Sequence, residues 1–179
     1  MINFDFYTPT KILFGADRES EVGKQVAAFG GHKVMIVYGK RGGHIETSGL
    51  LDLVHKSLSD AGLSYVDLNG VVPNPRLSLV KEGIRIGRAQ GVDFLLPIGG
   101  GSVIDSAKAI ALGAKIDFDV WRLYETKERI EGALPVGSVL TIAAAGSELS
   151  DGTVVTNPEG GLKRDYGADY LRPVFAIMH

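Results

Sequence analysis

Cysteine is absent from the 179-residue chain, and tryptophan occurs only once. Without cysteine there can be no disulfide bond and no thiolate metal site, which fits a reducing cytoplasm. Basic residues are not in excess either, because 19 Lys and Arg stand against 21 Asp and Glu and give a formal net charge of −2. The composition therefore does not predict a surface that binds nucleic acid.

Long apolar runs are missing as well. None approaches the roughly 18 residues that a bilayer-spanning helix needs. The N-terminal stretch lacks the basic segment and apolar segment of a secretion signal. We therefore expect a cytoplasmic protein with no membrane partner. Its length fits one domain of about 100–200 residues.

Apolar runs alternate with helix-like patterns along the chain, which predicts βαβ units and a parallel sheet. The predicted fold class is α/β, a Rossmann-like parallel sheet with helices on both faces plus a β-hairpin. Asp17 is expected to cap the first helix, and Thr47 or Ser48 the next. The predicted strands are Lys11–Gly15, Lys33–Tyr38, Tyr65–Leu68, Phe94–Ile98, Leu134–Ala144 and the hairpin Thr153–Thr156 with Leu162–Arg164.

The last seven residues, 173–179, read as a buried strand on which the chain stops. An apolar strand with an uncovered edge invites aggregation or a partner. The pattern therefore predicts that residues 1–179 form one domain cut from something longer.

A glycine-rich turn carries the strongest functional signal. Gly99, Gly100, Gly101 and Ser102 directly follow a predicted strand and open a predicted helix. Bare backbone and the unpaired amides of a helix N-terminus suit a phosphate group. Ile104 stands where a G-x-G-x-x-G fingerprint has its third glycine, so this is a different kind of dinucleotide turn. The alternative is a plain glycine turn with a serine helix cap.

Other loops are expected at the same edge of the sheet. Ligands of open α/β sheets bind beyond the carboxyl ends of the strands. Gly39, Asn74 and Thr141 each follow a predicted strand directly or within a few residues. These loops and the glycine turn are therefore the places to look for a binding site.

Several segments resemble the iron-containing (group III) alcohol dehydrogenase family, in particular its butanol dehydrogenase and aldehyde reductase branch. The segment GGGSVIDSAKAI at 99–110 is similar to that family's GGGSxxDxxKxI, and the other pieces follow in the family's order along the whole chain. They are Phe14-Gly15, VPNP at 72–75, TIAAAGSE at 141–148, Lys163, and FAIMH at 175–179.

The resemblance implies roles for individual residues in binding a dinucleotide. Gly100, Gly101 and Ser102 would hold the pyrophosphate, Gly99 would belong to the same cofactor site, and Asp105 would lie near the nicotinamide. The adenosine side would involve Thr141, Ser150 and Asn74, and Lys163 would contact the nicotinamide ribose. The alternatives are a weak helix charge pair between Asp105 and Lys108, an exposed turn lysine at 163, and a helix cap at Ser147-Glu148.

The choice between NADP and NAD rests on one loop. NAD enzymes usually place an acid after an early strand to bind the ribose 2′-hydroxyl. Here Gly39 stands at that position and is followed by Lys40 and Arg41. Two cations without a carboxylate suit a 2′-phosphate, so we expect NADP, with NAD as the alternative. The alternative to both is a solvated basic loop.

The resemblance implies a metal that this chain does not hold. His32, His44, His55 and His179 are scattered, and the family's ligands, one Asp and three His, would follow residue 179 in a C-terminal helical domain. Iron or zinc would thus be present only in the full-length enzyme, with a small alcohol or aldehyde as substrate. We expect no catalytic residue and no metal ligand in these 179 residues, and no dehydrogenase activity from them alone.

The N-terminal strand is the expected site of dimerisation, and two alternative functions are open. Relatives dimerise partly through their N-terminal strands, so Phe4–Phe14 is the expected interface of a homodimer. The chain could instead be a stand-alone nucleotide-binding or regulatory module. A third alternative is a fragment of an enzyme like glycerol dehydrogenase or dehydroquinate synthase, against which Asn74 and the Gly146–Glu148 segment speak.

Overall fold

The computed structural model describes Asn3 and residues 7–178. These contain eight β-strands and six α-helices. The strands are β1 (Lys11–Phe14), β2 (Lys33–Tyr38), β3 (Ser64–Leu68), β4 (Phe94–Gly99), β5 (Gly137–Leu140), β6 (Gly152–Asn157), β7 (Leu162–Gly167) and β8 (Phe175–Met178). The helices are α1 (Val22–Ala28), α2 (His44–Thr47), α3 (Leu50–Asp60), α4 (Leu77–Gln90), α5 (Gly101–Gly113) and α6 (Trp121–Thr126).

Six strands form one parallel sheet in the order β1-β8-β5-β4-β2-β3. From β2 the chain moves outward to β3 and then returns to β4 on the other side. The strand order therefore reverses between β2 and β4, and this is where open α/β sheets form a crevice for a ligand.

Residues that alternate along β2 and β4 face opposite sides of the sheet and supply two separate cores. Ile36 and Leu96 point toward α1 and α3, whereas Met35 and Leu95 belong to the core under α4 and α5. All four side chains are fully buried. A sheet covered on both faces needs such continuous apolar strands, and the predicted α/β fold with helices on both faces is confirmed.

The predicted hairpin is confirmed as the antiparallel pair β6 and β7. It is separate from the main sheet and packs on α5 through the buried side chains of Val155 and Tyr166. Two hydrogen bonds fix it there: the Val154 amide donates to Asp105 Oδ2 over 3.1 Å, and Thr153 Oγ1 donates to the Asp105 carbonyl over 2.8 Å.

Some predicted boundaries are wrong. The strand expected over Leu134–Ala144 is confined to Gly137–Leu140, because the small, exposed residues that follow form turns rather than sheet hydrogen bonds. The short helix α6 was not predicted, since six residues show little more than one helical turn of apolar spacing.

The predicted helix caps are also wrong. Asp17 adopts a left-handed conformation before the 3-10 turn Arg18–Glu21 and makes no side-chain cap bond, and α1 starts only at Val22. Gly49, not Thr47 or Ser48, is the cap of α3. The chain enters α3 through a left-handed backbone conformation at Gly49, with φ of 80°, which glycine adopts without strain. The sequence pattern does not reveal this conformation.

The C-terminal strand is not an uncovered edge, contrary to the prediction. β8 pairs with β1 on one side and with β5 on the other. Phe175, Ala176 and Ile177 are fully buried. The N-terminal strand β1 is the edge instead, with Ile12 and Phe14 exposed. The part of the expected dimer interface at residues 4–6, and His179, lie outside the described residues.

The contact between helices α1 and α3 depends on one glycine. The Gly23 amide donates to Ser57 Oγ over 2.9 Å, and Ser57 Oγ donates to the Ser20 carbonyl over 2.7 Å. A methyl group on Gly23 would lie 2.0 Å from the Ser57 carbonyl oxygen. Helices α1 and α3 can therefore approach this closely only because residue 23 has no side chain. Within the described residues, no helix is long and apolar enough to cross a membrane.

Replacing this glycine tests the packing. We expect Gly23→Ala to lower the free energy of unfolding by about 1–3 kcal/mol, because the two helix backbones must move apart. Gly132→Ala is the control, since no atom lies within 4 Å of its added methyl group, and its effect should stay within about 0.5 kcal/mol. Urea unfolding followed by circular dichroism measures both, and equal stabilities would contradict the packing argument.

Candidate dinucleotide site

The turn from β4 into α5 has no room for side chains. A methyl group on Gly99 would lie 2.6 Å from Val103 Cγ2, one on Gly100 2.7 Å from Ile142 Cγ2, and one on Gly101 3.2 Å from Ser147 Oγ. All three glycines of the motif are thus pressed against their neighbours. The backbone itself forms the surface of the turn, as a phosphate cradle requires.

The N-terminus of α5 is open. Gly100 is its extended N-cap and makes no side-chain cap bond. Ser102 does not cap the helix, because its hydroxyl accepts the Asn74 amide over 3.2 Å. The reading of this turn as glycines with a serine cap is therefore wrong. The first amides of a 13-residue helix remain available to an anion.

A cleft of about 280 Å³ lies directly against this turn, with Val71, Pro73 and Ile142 among its walls. Larger hollows of about 890 and 680 Å³ lie at the other end of α5, around Ile116, Asp117 and Phe118. We place the site in the smaller cleft, because only there do open helix amides and bare glycine backbone meet at the carboxyl edge of the sheet.

Asn74 connects three segments at this cleft. It adopts a left-handed conformation with φ of 63°, between two prolines. Its amide binds Ser102, and its side-chain oxygen accepts from Lys163 Nζ over 2.8 Å. The Thr156 amide adds a bond of 2.7 Å to the Pro75 carbonyl. Lys163 is therefore exposed, as in the alternative of an exposed turn lysine, but it is hydrogen-bonded to the Pro-Asn-Pro turn.

Asp105 lies one turn into α5 and is half-buried. Its Oδ2 accepts the Val154 amide, whereas Oδ1 is buried without a hydrogen-bond partner among the described residues. Burial raises the pKa of Asp105, and the Val154 amide and the Lys108 ammonium oppose that shift. The Ser147 side chain also opposes the shift, so Asp105 is held by both the hairpin and the segment at Ser147.

Lys108 does not form the charge pair with Asp105 that was one interpretation of the sequence. Among the described residues it has no ion pair. Its fully buried ammonium donates to the carbonyls of Ser147, Ser150 and Gly152. Ser150, expected near the adenosine, therefore has its carbonyl and its hydroxyl turned toward Lys108.

The two remaining predicted loops also reach this edge. Thr141 is exposed, and its amide donates to the Gly99 carbonyl over 3.2 Å. Gly39 follows β2, next to β4, and its carbonyl accepts the Gly70 amide over 2.9 Å. Lys40 and Arg41 are exposed and make no ion pair with any described residue. The nearest acid along the loop, Glu46, accepts the Gly42 amide over 2.7 Å.

The structure therefore brings together the glycine turn, Asn74, Asp105, Thr141 and Lys163, with the Gly39–Arg41 loop at the neighbouring strand end. Sequence reasoning did not foresee how Lys108 and Ser147 join the site. The spacing from Asp105 to Lys108 showed that the two share a helix, but not that the lysine points to carbonyls some 40 residues away in sequence. Nor does a helix begin at Ser147-Glu148, where a cap was one alternative.

The metal of the family does not fit this part of the chain. Within the described residues, no three His, Cys, Asp or Glu side chains come together as a metal-binding group. We therefore assign no metal ligand here and route no reaction step through a metal.

The fold and the glycine turn define an α/β domain of the doubly wound kind, and comparison with known proteins makes the family specific. The family model described as "Iron-containing alcohol dehydrogenase" matches residues 9–179. The chain therefore belongs to the iron-containing alcohol dehydrogenase family, as the sequence motifs predicted.

Relatives and solved structures agree. "Probable NADH-dependent butanol dehydrogenase 1" of Bacillus subtilis is 45% identical over 178 residues, which cover 99% of this chain and 45% of that protein. "NADPH-dependent aldehyde reductase YqhD" of Escherichia coli is 36% identical over 181 residues, with coverages of 99% and 45%. The crystal structure of NADH-dependent butanol dehydrogenase A from Thermotoga maritima has a TM-score of 0.93 at 40% identity, with coverages of 98% and 44%. The chain thus spans less than half of these relatives and matches their N-terminal part.

Asn74 offers a test of the site's backbone. We expect Asn74→Ala to destabilise the chain more than Asn74→Gly, by about 1 kcal/mol, because glycine adopts the left-handed conformation without strain. Both variants lose the bond to Lys163, so their difference isolates the backbone contribution. Urea unfolding measures it, and an alanine variant as stable as the glycine variant would contradict the conformation described.

Proposed function

We propose that this chain is the dinucleotide-binding half of a metal-dependent alcohol or aldehyde dehydrogenase. The observation that carries the proposal is the uncapped N-terminus of α5, reached through three glycines at which an added methyl group would lie within 3.2 Å of a neighbouring side chain. When bound, the dinucleotide would accept or deliver the hydride, and the protein would bind and orient it.

Different residues of the site would bind different parts of the cofactor. Gly100, Gly101 and Ser102 would hold the pyrophosphate at the helix N-terminus, and Gly99 would belong to the same cofactor site. Asp105 would lie near the nicotinamide. Lys163 would contact the nicotinamide ribose, and Asn74, Thr141 and Ser150 would lie on the adenosine side.

We propose NADP(H) rather than NAD(H) as the preferred cofactor. The loop after β2 offers two exposed cations without an ion-pair partner among the described residues, and Glu46, the next acid along the chain, accepts the Gly42 amide. A 2′-phosphate would form charge-assisted bonds with Lys40 and Arg41. The relatives are named for both cofactors, NADH in the Bacillus protein and NADPH in the Escherichia protein, so the loop is what supports the choice.

The remaining features of the whole enzyme are also part of the proposal. A small alcohol or aldehyde would be the substrate, and residues outside 1–179 would hold iron or zinc. Residues 1–179 would act as one nucleotide-binding domain without turnover of their own. A cytoplasmic homodimer joined at the N-terminal strand fits the edge position of β1 and its exposed Phe14.

A stand-alone nucleotide-binding module remains the second candidate. The covered position of β8 favours it, because the last described strand leaves no unpaired edge. Cofactor binding alone is common to both candidates. The distinguishing test is whether the full gene product oxidises NADPH when an aldehyde is added. Oxidation that occurs only when iron or zinc is also supplied would favour the dehydrogenase.

The phosphate role of the glycine turn predicts a specific loss. We expect Gly101→Val to raise the dissociation constant of NADPH about tenfold or more, equal to at least about 1.4 kcal/mol, because a side chain there presses on Ser147 and the cradle. Nicotinamide fluorescence measures the binding. Gly132→Val, in open space, should bind as the parent chain does. No binding of NADPH or NADH by the parent chain would overturn the proposed function.

The proposed role of Lys40 and Arg41 predicts that reversing their charge weakens NADPH binding but not NADH binding. The double change Lys40→Glu with Arg41→Glu should weaken NADPH about tenfold or more, because charge-assisted bonds contribute about 1.5–3 kcal/mol each. NADH, which has no 2′-phosphate, should change little. Lys115→Glu, an exposed charge reversal past the far end of α5, serves as the control. Equal losses for both cofactors, or a parent chain that prefers NADH, would contradict the assignment to NADP.

A further inference from the structure

A lysine ammonium is buried in the core with no carboxylate of the described residues within ion-pair distance. Lys108 is 0% exposed, and no ion pair reaches it from the described residues. Its Nζ donates to the carbonyls of Ser147 at 2.8 Å, Ser150 at 2.7 Å and Gly152 at 3.0 Å, and lies 3.2 Å from the Ser150 hydroxyl. Burying a cation is costly, so a side chain that only filled space would be apolar.

The three carbonyls belong to one short segment, residues 147–152, which leads into β6. Most of it has no regular secondary structure, and the Leu149 and Ser150 amides both turn back to the Gly146 carbonyl. Carbonyl oxygens that converge on one point repel one another unless a cation lies between them. Lys108 therefore determines the shape of this segment from its centre.

The same helix forms the phosphate cradle. Gly101 and Ser102 open α5, and Lys108 follows two turns later, about 10 Å along the axis. The segment reaches back to the cradle, because Ser147 Oγ lies 3.2 Å from the position of a methyl group on Gly101. One rigid helix thus sets the distance between the cradle and the 147–152 segment.

We propose that Lys108 is a positioning residue of the dinucleotide site, whose ammonium holds the 147–152 segment against α5 so that Ser147 and Ser150 flank the cofactor correctly. Lys108 itself touches no cofactor in this proposal. The inference rests on the proposed function, since it assumes that the glycine turn binds a dinucleotide.

The charge of this ammonium depends on pH. Burial lowers the pKa of Lys108 to about 8, Arg172 adds to the lowering, and the carboxylates of Asp105, Asp151 and Glu148 oppose it. Below that pH the ammonium has three protons for three carbonyls. Above it the neutral amine has only two protons, so one carbonyl loses its donor and the segment is held less firmly.

The test compares Lys108→Met with Ile110→Ala in the 179-residue chain. Both change a buried side chain of α5, but Ile110 belongs to the core under α4 and α5 and not to the 147–152 segment. We expect Lys108→Met to raise the NADPH dissociation constant about ten- to a hundredfold. Ile110→Ala should lower the urea midpoint while leaving that constant within about twofold.

A pH profile supplies the readout that lost stability alone would not give. Between pH 7 and 9, NADPH affinity of the parent chain should fall above about pH 8, and that of Lys108→Met should stay flat. If Lys108→Met does not fold, the parent profile decides, and a flat profile overturns the inference. A folded Lys108→Met that binds as the parent does overturns it as well, with the proposed function intact. Failure of the parent chain to bind would instead reject the proposed function.

Discussion

The site depends on how β4 enters α5 without side chains in between. The three glycines leave the first amides of the helix uncovered at the carboxyl edge of the sheet, and each is in contact with a different neighbour: Val103, Ile142 and Ser147. A larger residue would therefore disturb the helix, the Thr141 loop or the 147–152 segment. The turn is thus a steric constraint on its surroundings as well as the proposed ligand cradle.

Ser102 connects the glycine turn to two neighbouring segments through hydrogen bonds. A serine at the start of a helix usually satisfies the helix's own amides. Here its hydroxyl accepts the amide of Asn74 instead, and Asn74 in turn accepts from Lys163 on the hairpin. The helix amides are uncovered because the N-cap, Gly100, has no side chain, while Ser102, the second residue of the helix, holds the neighbouring Pro-Asn-Pro turn.

The parallel sheet, the hairpin and the glycine turn could be predicted from sequence, because continuous apolar strands and a GGGS turn are local patterns. The place of β8 could not, since an apolar strand reads the same whether it lies at an edge or between β1 and β5. The cap at Gly49 and the shortened β5 could not be predicted either, because the residues at these positions allow the observed backbone conformation but do not require it. For Lys108, the sequence gives the helix on which it lies but not its partners, which come from a turn about 40 residues later.

Lys108 and the Lys40–Arg41 pair illustrate two uses of positive charge at one edge of the sheet. The exposed pair remains hydrated and available, so its attraction for a phosphate acts on a ligand that arrives from solvent. The buried ammonium is hidden from solvent, and its interactions with three carbonyls offset the cost of its burial. Under the proposed function, a charge of the first kind would contribute to which dinucleotide is bound. A charge of the second kind would act through the geometry of the protein, and so it would alter affinity for either dinucleotide alike.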